Sequence, residues 1–160
     1  MAKLSVLIVC LGNICRSPMG EAVLRHEAKK RGLDIKVDSA GTAAYHEGEL
    51  SDERTIATCK KNNVPIDRVA RAVRTSDFTE FDYIFAADTN NLRNLKSMAP
   101  KGTTAEITTF SWYDDKKVIP DPYYGGARGF DEVFEQCVRY SNAFLDHAFP
   151  ESKPAAASLL

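Results

Sequence analysis

The chain reads as an α/β fold, a single-domain open parallel β-sheet of about four strands with helices on both faces. Two observations predict it. Short runs rich in β-branched or aromatic residues alternate along the chain with longer amphipathic stretches. The first run, residues 4–9 (LSVLIV), is apolar almost throughout. Strands covered on both faces of a parallel sheet look like this.

The elements follow in order. Residues 4–9 form the first strand and Cys10 ends it. A tight loop runs from Cys10 to Arg16, and Ser17 stands before Pro18 as the N-cap of a helix. Helical spacing over residues 19–31 sets Ala22, Val23, Leu24, His26 and Ala28 against Glu21, Arg25, Glu27 and Lys29. Gly32 closes that helix, and Gly20 in its first turn suggests close packing against the loop. Residues 35–39 are the second strand, followed by a polar surface loop over 43–50 that carries Tyr45 and His46. Ser51 caps a helix to about Lys61, which Asn62-Asn63-Val64-Pro65 stops. Residues 75–78 make one helical turn, and Arg68, Arg71 and Arg74 cluster before it as a solvated surface or a positive rim.

Residues 83–87 are the third strand, 90–98 a helix, and 103–110 contain the fourth strand. Residues 111–117 form a polar loop, and Ile119-Pro120-Asp121-Pro122-Tyr123-Tyr124-Gly125-Gly126 is rigid and then flexible. A long helix covers 129–149, with Phe130, Val133, Phe134, Cys137, Val138, Ser141 and Leu145 at helical spacing. The tail from Pro150 lacks a packing pattern, so residues 150–160 are expected to be disordered and 1–149 to form the domain.

Composition narrows the possibilities. A net charge of −1 builds in no pull toward nucleic acid or an anionic membrane. No apolar run reaches membrane-span length, and the N-terminus lacks a signal-peptide profile. Four cysteines in a chain that is neither small nor loop-rich point to a reducing compartment, the cytoplasm. His26, His46 and His147 are scattered, so neither a metal nor another cofactor is expected. The nucleotide-binding glycine loops are missing.

The loop carries chemistry. A helix N-terminus offers unpaired N–H groups and partial positive charge, so a loop curled around it suits an anion. Gly12 and Asn13 accept the backbone angles such a curl needs. Cys10 at the entrance lies in a field that favours thiolate, and Arg16 offers two parallel donors to an oxyanion. A thiolate attacking phosphorus needs an acid for its leaving group. Asp121, held between two prolines and followed by Tyr123 and Tyr124, is the candidate.

The run Val9-Cys10-Leu11-Gly12-Asn13-Ile14-Cys15-Arg16-Ser17-Pro18-Met19 resembles the signature loop of the low-molecular-weight protein tyrosine phosphatases (acid phosphatases), and Asp121-Pro122-Tyr123-Tyr124 resembles their second signature. Similarity continues at Val37-Asp38-Ser39-Ala40, Val69-Ala70-Arg71, Phe81-Asp82-Tyr83-Ile84 and Asn91-Leu92-Arg93. The resemblance implies a Rossmann-like fold and hydrolysis of phosphotyrosine proteins and small aryl phosphates through a cysteinyl-phosphate. Cys10 is then the nucleophile, Arg16 the phosphate clamp, Asp121 the acid and later the base, and Ser17 the sulfur's hydrogen-bond partner. Leu11, Gly12, Asn13, Ile14, Cys15, Tyr45, His46, Tyr123 and Tyr124 line the substrate slot. Ser39 and Arg68 support the loop, and Cys10 with Cys15 forms a reversible redox pair. Family members often have histidine where this chain has Arg68, which leaves the support of Asn13 open. The alternatives are a thiol-dependent arsenate reductase of the same fold, which would need relay cysteines from Cys59 and Cys137, and a non-catalytic phosphotyrosine-binding module. A monomer, able at most to self-associate weakly, is expected.

Overall fold

The computed structural model describes residues 3–67, 69–123 and 126–153. The elements run β1 (Ser5–Cys10), α1 (Arg16–Lys30), β2 (Lys36–Gly41), α2 (Glu53–Lys61), α3 (Asp77–Glu80), β3 (Tyr83–Ala86), α4 (Thr89–Met98), β4 (Glu106–Thr109) and α5 (Ala127–Ala148). The four strands form one sheet in the order β2-β1-β3-β4, and every pair is parallel. The chain leaves β1 toward β2 on one side and later places β3 on the other. The carboxyl end of β1 is therefore the switch point of the sheet, where open α/β folds bind ligands.

Strand alternation divides the core. Val6 and Ile8 join Phe85 against Met19 and Val23 of α1 and Phe130, Cys137 and Phe144 of α5. Leu7 and Val9 join Ile84 and Ala86 against Phe78 of α3 and Leu95 of α4. All six residues of β1 are buried, which is why its sequence shows no polar face. Phe85 and Phe144 meet edge to face at 5.0 Å. Gly20 has its reason in this packing and not in the loop: a Cβ there would lie 3.0 Å from Ile8 Cγ2 and 3.3 Å from Phe110 Cε2.

Several boundaries differ from expectation, each for a physical reason. Helix α1 starts at Arg16, with Cys15 and not Ser17 at its N-cap; the Ser17 hydroxyl is engaged inside the first turn. Asp52 and not Ser51 caps α2, its carboxylate accepting the Arg54 N–H at 2.8 Å. Strand β2 is displaced toward its C-terminus, because Gly41 pairs with Cys10. Glu21 and Glu27, expected to face solvent, are buried, whereas His26 is half-buried. Helix α1 is packed against β1, β2, α2 and α5, so little of its surface is free. Its two glutamates are satisfied by Ser39 and Arg25, and by Asn142 and Lys30. The expected disorder from Pro150 does not extend to Pro150–Ser152, which forms a 3-10 turn with Ser152 reached by Arg31.

Candidate active site

The loop between β1 and α1 is shaped by Asn13 and by two glycines. Asn13 adopts φ 58°, a left-handed conformation that asparagine tolerates better than most residues. Gly12, expected to share that role, lacks a positive φ and is needed for space: a Cβ would sit 2.9 Å from His46 Cδ2. Gly41, at the end of the neighbouring strand, lies under the loop. A Cβ there would meet Leu11 O at 2.6 Å and Ala43 O at 3.0 Å. Main-chain bonds from Thr42 to Cys10 O (2.9 Å) and from Ala43 to Leu11 O (3.0 Å) hold that approach.

Cys10 is buried, with its Sγ 3.0 Å from Ser17 Oγ. The Asn13 amide donates to Ser17 Oγ at 2.8 Å and to Ser39 Oγ at 3.0 Å, and its Oδ1 accepts the Arg71 main-chain N–H at 2.9 Å. Ser39 in turn donates to Glu21 at 2.6 Å. The expected contact between Ser39 and the loop is present. Arg68 lies outside the described residues, as does Tyr124.

Arg16 is almost fully enclosed, at 4% exposure. Its Nη1 donates to Asp88 Oδ2 at 2.7 Å and to Ile119 O at 3.0 Å. Its Nη2 lies 3.7 Å from Asp121 Oδ2. Burial works against the guanidinium charge, but Cys10, Asp88 and Asp121 outweigh it and hold the group above its usual value. Asp88 serves twice, since its other oxygen accepts from Asn91 as the N-cap of α4. The Asp121 loop reaches the site because Ile119 N–H bonds to Ala87 O at 2.9 Å, continuing the end of β3. Asp121 also accepts the Tyr123 N–H at 3.0 Å, which fixes its carboxylate relative to the tyrosine.

These groups face one cavity of about 210 Å³, floored by Cys10, Cys15 and Arg16 and walled by Leu11, Ile14, Tyr45, His46, Asp121 and Tyr123. Of the slot residues expected from sequence, Leu11, Gly12, Ile14, Cys15, Tyr45, His46 and Tyr123 line this cavity; Asn13 does not, because it is fully buried and its amide is spent on Ser17, Ser39 and the Arg71 main chain. Among the described residues no side-chain capping bond is made at the Cys15 N-cap of α1, and a helix N-terminus of this kind suits an anion. His46 Nδ1 lies 2.6 Å from Glu49. Burial first, and Asp52 next, push the Cys15 thiol up to about 12.

Sequence reasoning put Asp88 at a strand end beside the site but missed its bond to Arg16, and it missed Gly41, Arg54 and the Arg71 main chain altogether. Arg54, paired with Asp52, stacks over the rings of Tyr123 at 5.5 Å and Phe130 at 4.6 Å, tying one wall of the cavity to α2 and α5. Only Asp88 had a local signal, its place at a strand end.

The class this geometry defines is an α/β protein with a thiol–guanidinium cavity at the switch point of a parallel sheet. More narrowly, the chain belongs to the low molecular weight phosphotyrosine protein phosphatase family, whose profile matches residues 5–152. A Schizosaccharomyces pombe protein named low molecular weight phosphotyrosine protein phosphatase is 47% identical over 149 residues, covering 89% of this chain and 96% of that protein. Among solved structures, an Entamoeba histolytica protein tyrosine phosphatase with Hepes in its active site superposes with a TM-score of 0.87 at 36% identity, covering 95% of this chain and 100% of the other. A drosophila arginine phosphatase gives 0.85 at 37% identity, covering 90% and 97%.

Proposed function

We propose that this chain hydrolyses phosphotyrosine in proteins, and small aryl phosphates, through a cysteinyl-phosphate. The observation that carries this reading is the meeting of Cys10, Arg16 and Asp121 around one cavity, with Asp121 Oδ2 3.7 Å from Arg16 Nη2. The Cys10 thiolate attacks phosphorus while Arg16 and the N–H groups at the start of α1 hold the phosphate oxygens. The P–O bond breaks and Asp121 gives its proton to the departing phenolic oxygen. Water then attacks the cysteinyl-phosphate, with Asp121 now taking a proton and the thiolate leaving. Ser17, 3.0 Å from the sulfur, stabilises that leaving thiolate. The apolar walls Leu11, Ile14, Tyr45 and Tyr123 suit an aromatic ring.

The rival readings have less support. A disulfide relay needs accessible cysteines, and Cys59 and Cys137 are both fully buried. A binding module has no use for an acid opposite the thiol. Peroxide would oxidise Cys10 to the sulfenic acid, and Cys15 sulfur would condense with it and release water. A Cys10–Cys15 disulfide found by mass spectrometry supports that redox role; equal loss of activity to irreversible oxidation in Cys15→Ser and the parent counts against it. We propose further that the chain works in a reducing cytoplasm, as a monomer able at most to self-associate weakly, on phosphotyrosine proteins and not on nucleic acid or membranes; its four cysteines and net charge of −1 support this.

The test is hydrolysis of para-nitrophenyl phosphate at about pH 5–6, beside phosphotyrosine and phosphoarginine peptides. Turnover of the aryl phosphates, abolished in Cys10→Ser, is expected. Full activity in Cys10→Ser overturns the mechanism, and preference for phosphoarginine overturns the substrate class.

A further inference from the structure

The hydrogen bonds around Asn13 have a direction, and something must set it. A side-chain amide can present either its oxygen or its NH2 group to a neighbour. The two orientations send opposite instructions along the chain Asn13–Ser17–Cys10. A main-chain N–H can only donate. The Arg71 N–H, 2.9 Å from Asn13 Oδ1, holds the amide oxygen toward itself and turns the NH2 group toward Ser17 and Ser39. Ser17 Oγ then accepts from Asn13, and its own proton is left for the Cys10 sulfur at 3.0 Å; the only other acceptor in its reach among the described residues is Ala40 O, at 3.4 Å.

The Arg71 peptide is itself clamped. Its carbonyl accepts from Gly41 at 2.8 Å, beside the end of β2. Its guanidinium donates through Nη1 and Nη2 to both oxygens of Asp77, at 2.9 and 3.1 Å, and through Nη2 to Asp38 at 3.0 Å. Asp77 has no exposed surface, and it also accepts the Arg74 N–H at 2.7 Å. A forked, two-oxygen contact fixes orientation as well as position, which a lysine would not do. This is more than a stability device, because the fixed peptide points its one donor at the catalytic loop.

We infer that Arg71 is a positioning residue for the reaction at Cys10: its ion pairs with Asp77 and Asp38 hold its main-chain N–H where it orients Asn13, and through Asn13 the Ser17 proton that serves the sulfur. This rests on the reading of Cys10 as nucleophile. It also supplies a support for Asn13 from a residue three positions beyond Arg68.

The experiment measures kcat and KM on para-nitrophenyl phosphate, with thermal melts, for Arg71→Met, Arg71→Lys and Asp77→Asn, alone and combined with Asn13→Gly. Glycine accepts the left-handed backbone at position 13 while removing the amide. Arg71→Met lowers kcat by about 10–100-fold with KM within about threefold, the loss expected for misdirected bonds to a charged sulfur. Arg71→Lys restores part of it. In the Asn13→Gly background the same Arg71→Met change costs less than about twofold, because the two act through one path. Should Arg71→Met not fold, Asp77→Asn, which keeps the volume and loses the charge, carries the same comparison. A folded variant with parental kcat, or losses that multiply in the double variant, overturns the inference. If Cys10→Ser is also inactive, only this inference fails; if Cys10→Ser is active, the nucleophile assignment fails first.

Discussion

Arg16 Nη1 lies 2.7 Å from Asp88 Oδ2, a charge-assisted bond between the first turn of α1 and the N-cap of α4. It aligns the guanidinium before any substrate arrives. The other Asp88 oxygen holds Asn91 N–H, so one carboxylate joins the site to the helix that packs behind β3. Substitutions can separate the two duties. Asp88→Asn keeps a good N-cap and loses the charge, so melting should stay close to the parent while kcat/KM falls by about 10–100-fold, as for a lost bond to an ionised group. Asp88→Ala should lose that activity and about 1 kcal/mol of stability as well. Steady-state kinetics beside denaturant unfolding check both.

Gly41 predicts a steric effect at a distance from the chemistry. Alanine would place a Cβ 2.6 Å from Leu11 O, a backbone atom that cannot swing away. Either β2 or the loop must move. Gly41→Ala should lose about 1–3 kcal/mol of stability, the usual cost of overpacking, and the shifted loop should lower kcat more than it raises KM. Parental kcat in this variant would show that the loop tolerates displacement.

Asp121 should separate the two halves of the reaction. Asp121→Asn keeps the volume and removes the proton, so kcat for substrates with poor leaving groups should fall by about 10²–10⁴-fold. Activated aryl phosphates should suffer less, since their phenoxides need little help. A leaving-group series run on parent and variant reads this directly; equal losses across the series would remove Asp121 from the role of acid.

Stability should fall on the alkaline side. The Cys15 and Cys59 thiols, ordinarily 9.0, and the Tyr113 and Tyr140 hydroxyls, ordinarily 10.0, are each pushed to about 12, with burial the largest cause in every case. In the unfolded chain these groups lose their protons near their ordinary values. Between about pH 9 and 12 the folded state therefore binds more protons than the unfolded one, and stability drops as pH rises. Below pH 9 this contribution is complete. Thermal melts from pH 7 to 11 should stay level with respect to these groups and then descend above about pH 9.

The strand–loop–helix unit was legible because its signals are local. An apolar run, a cysteine, an asparagine that accepts φ 58° and an arginine separated from the cysteine by five residues all lie within one short segment. The Asp121 loop was legible for the same reason, through its flanking prolines. The boundaries that moved are those where tertiary demand overrode local preference. Ser17 would cap a helix in isolation, but in the fold its hydroxyl faces Asn13 and Cys10. Glu21 and Glu27 fit a solvent-facing stripe by spacing, yet α1 is enclosed and buries both with partners.

The amino-acid sequence alone determined the fold class, the chemistry offered by Cys10, Arg16 and Asp121, and the order in which they arrive. Periodicity and motif spacing are properties of neighbouring residues, so they survive without a structure. Only the tertiary structure decided what aims that chemistry. Asn13 meets Arg71 across 58 positions, and Arg16 meets Asp88 across 72. Gly41 comes to lie beneath Leu11 only when β2 pairs with β1. Such contacts depend on where sheet order and packing bring distant main chain together, and no local pattern in the sequence records that.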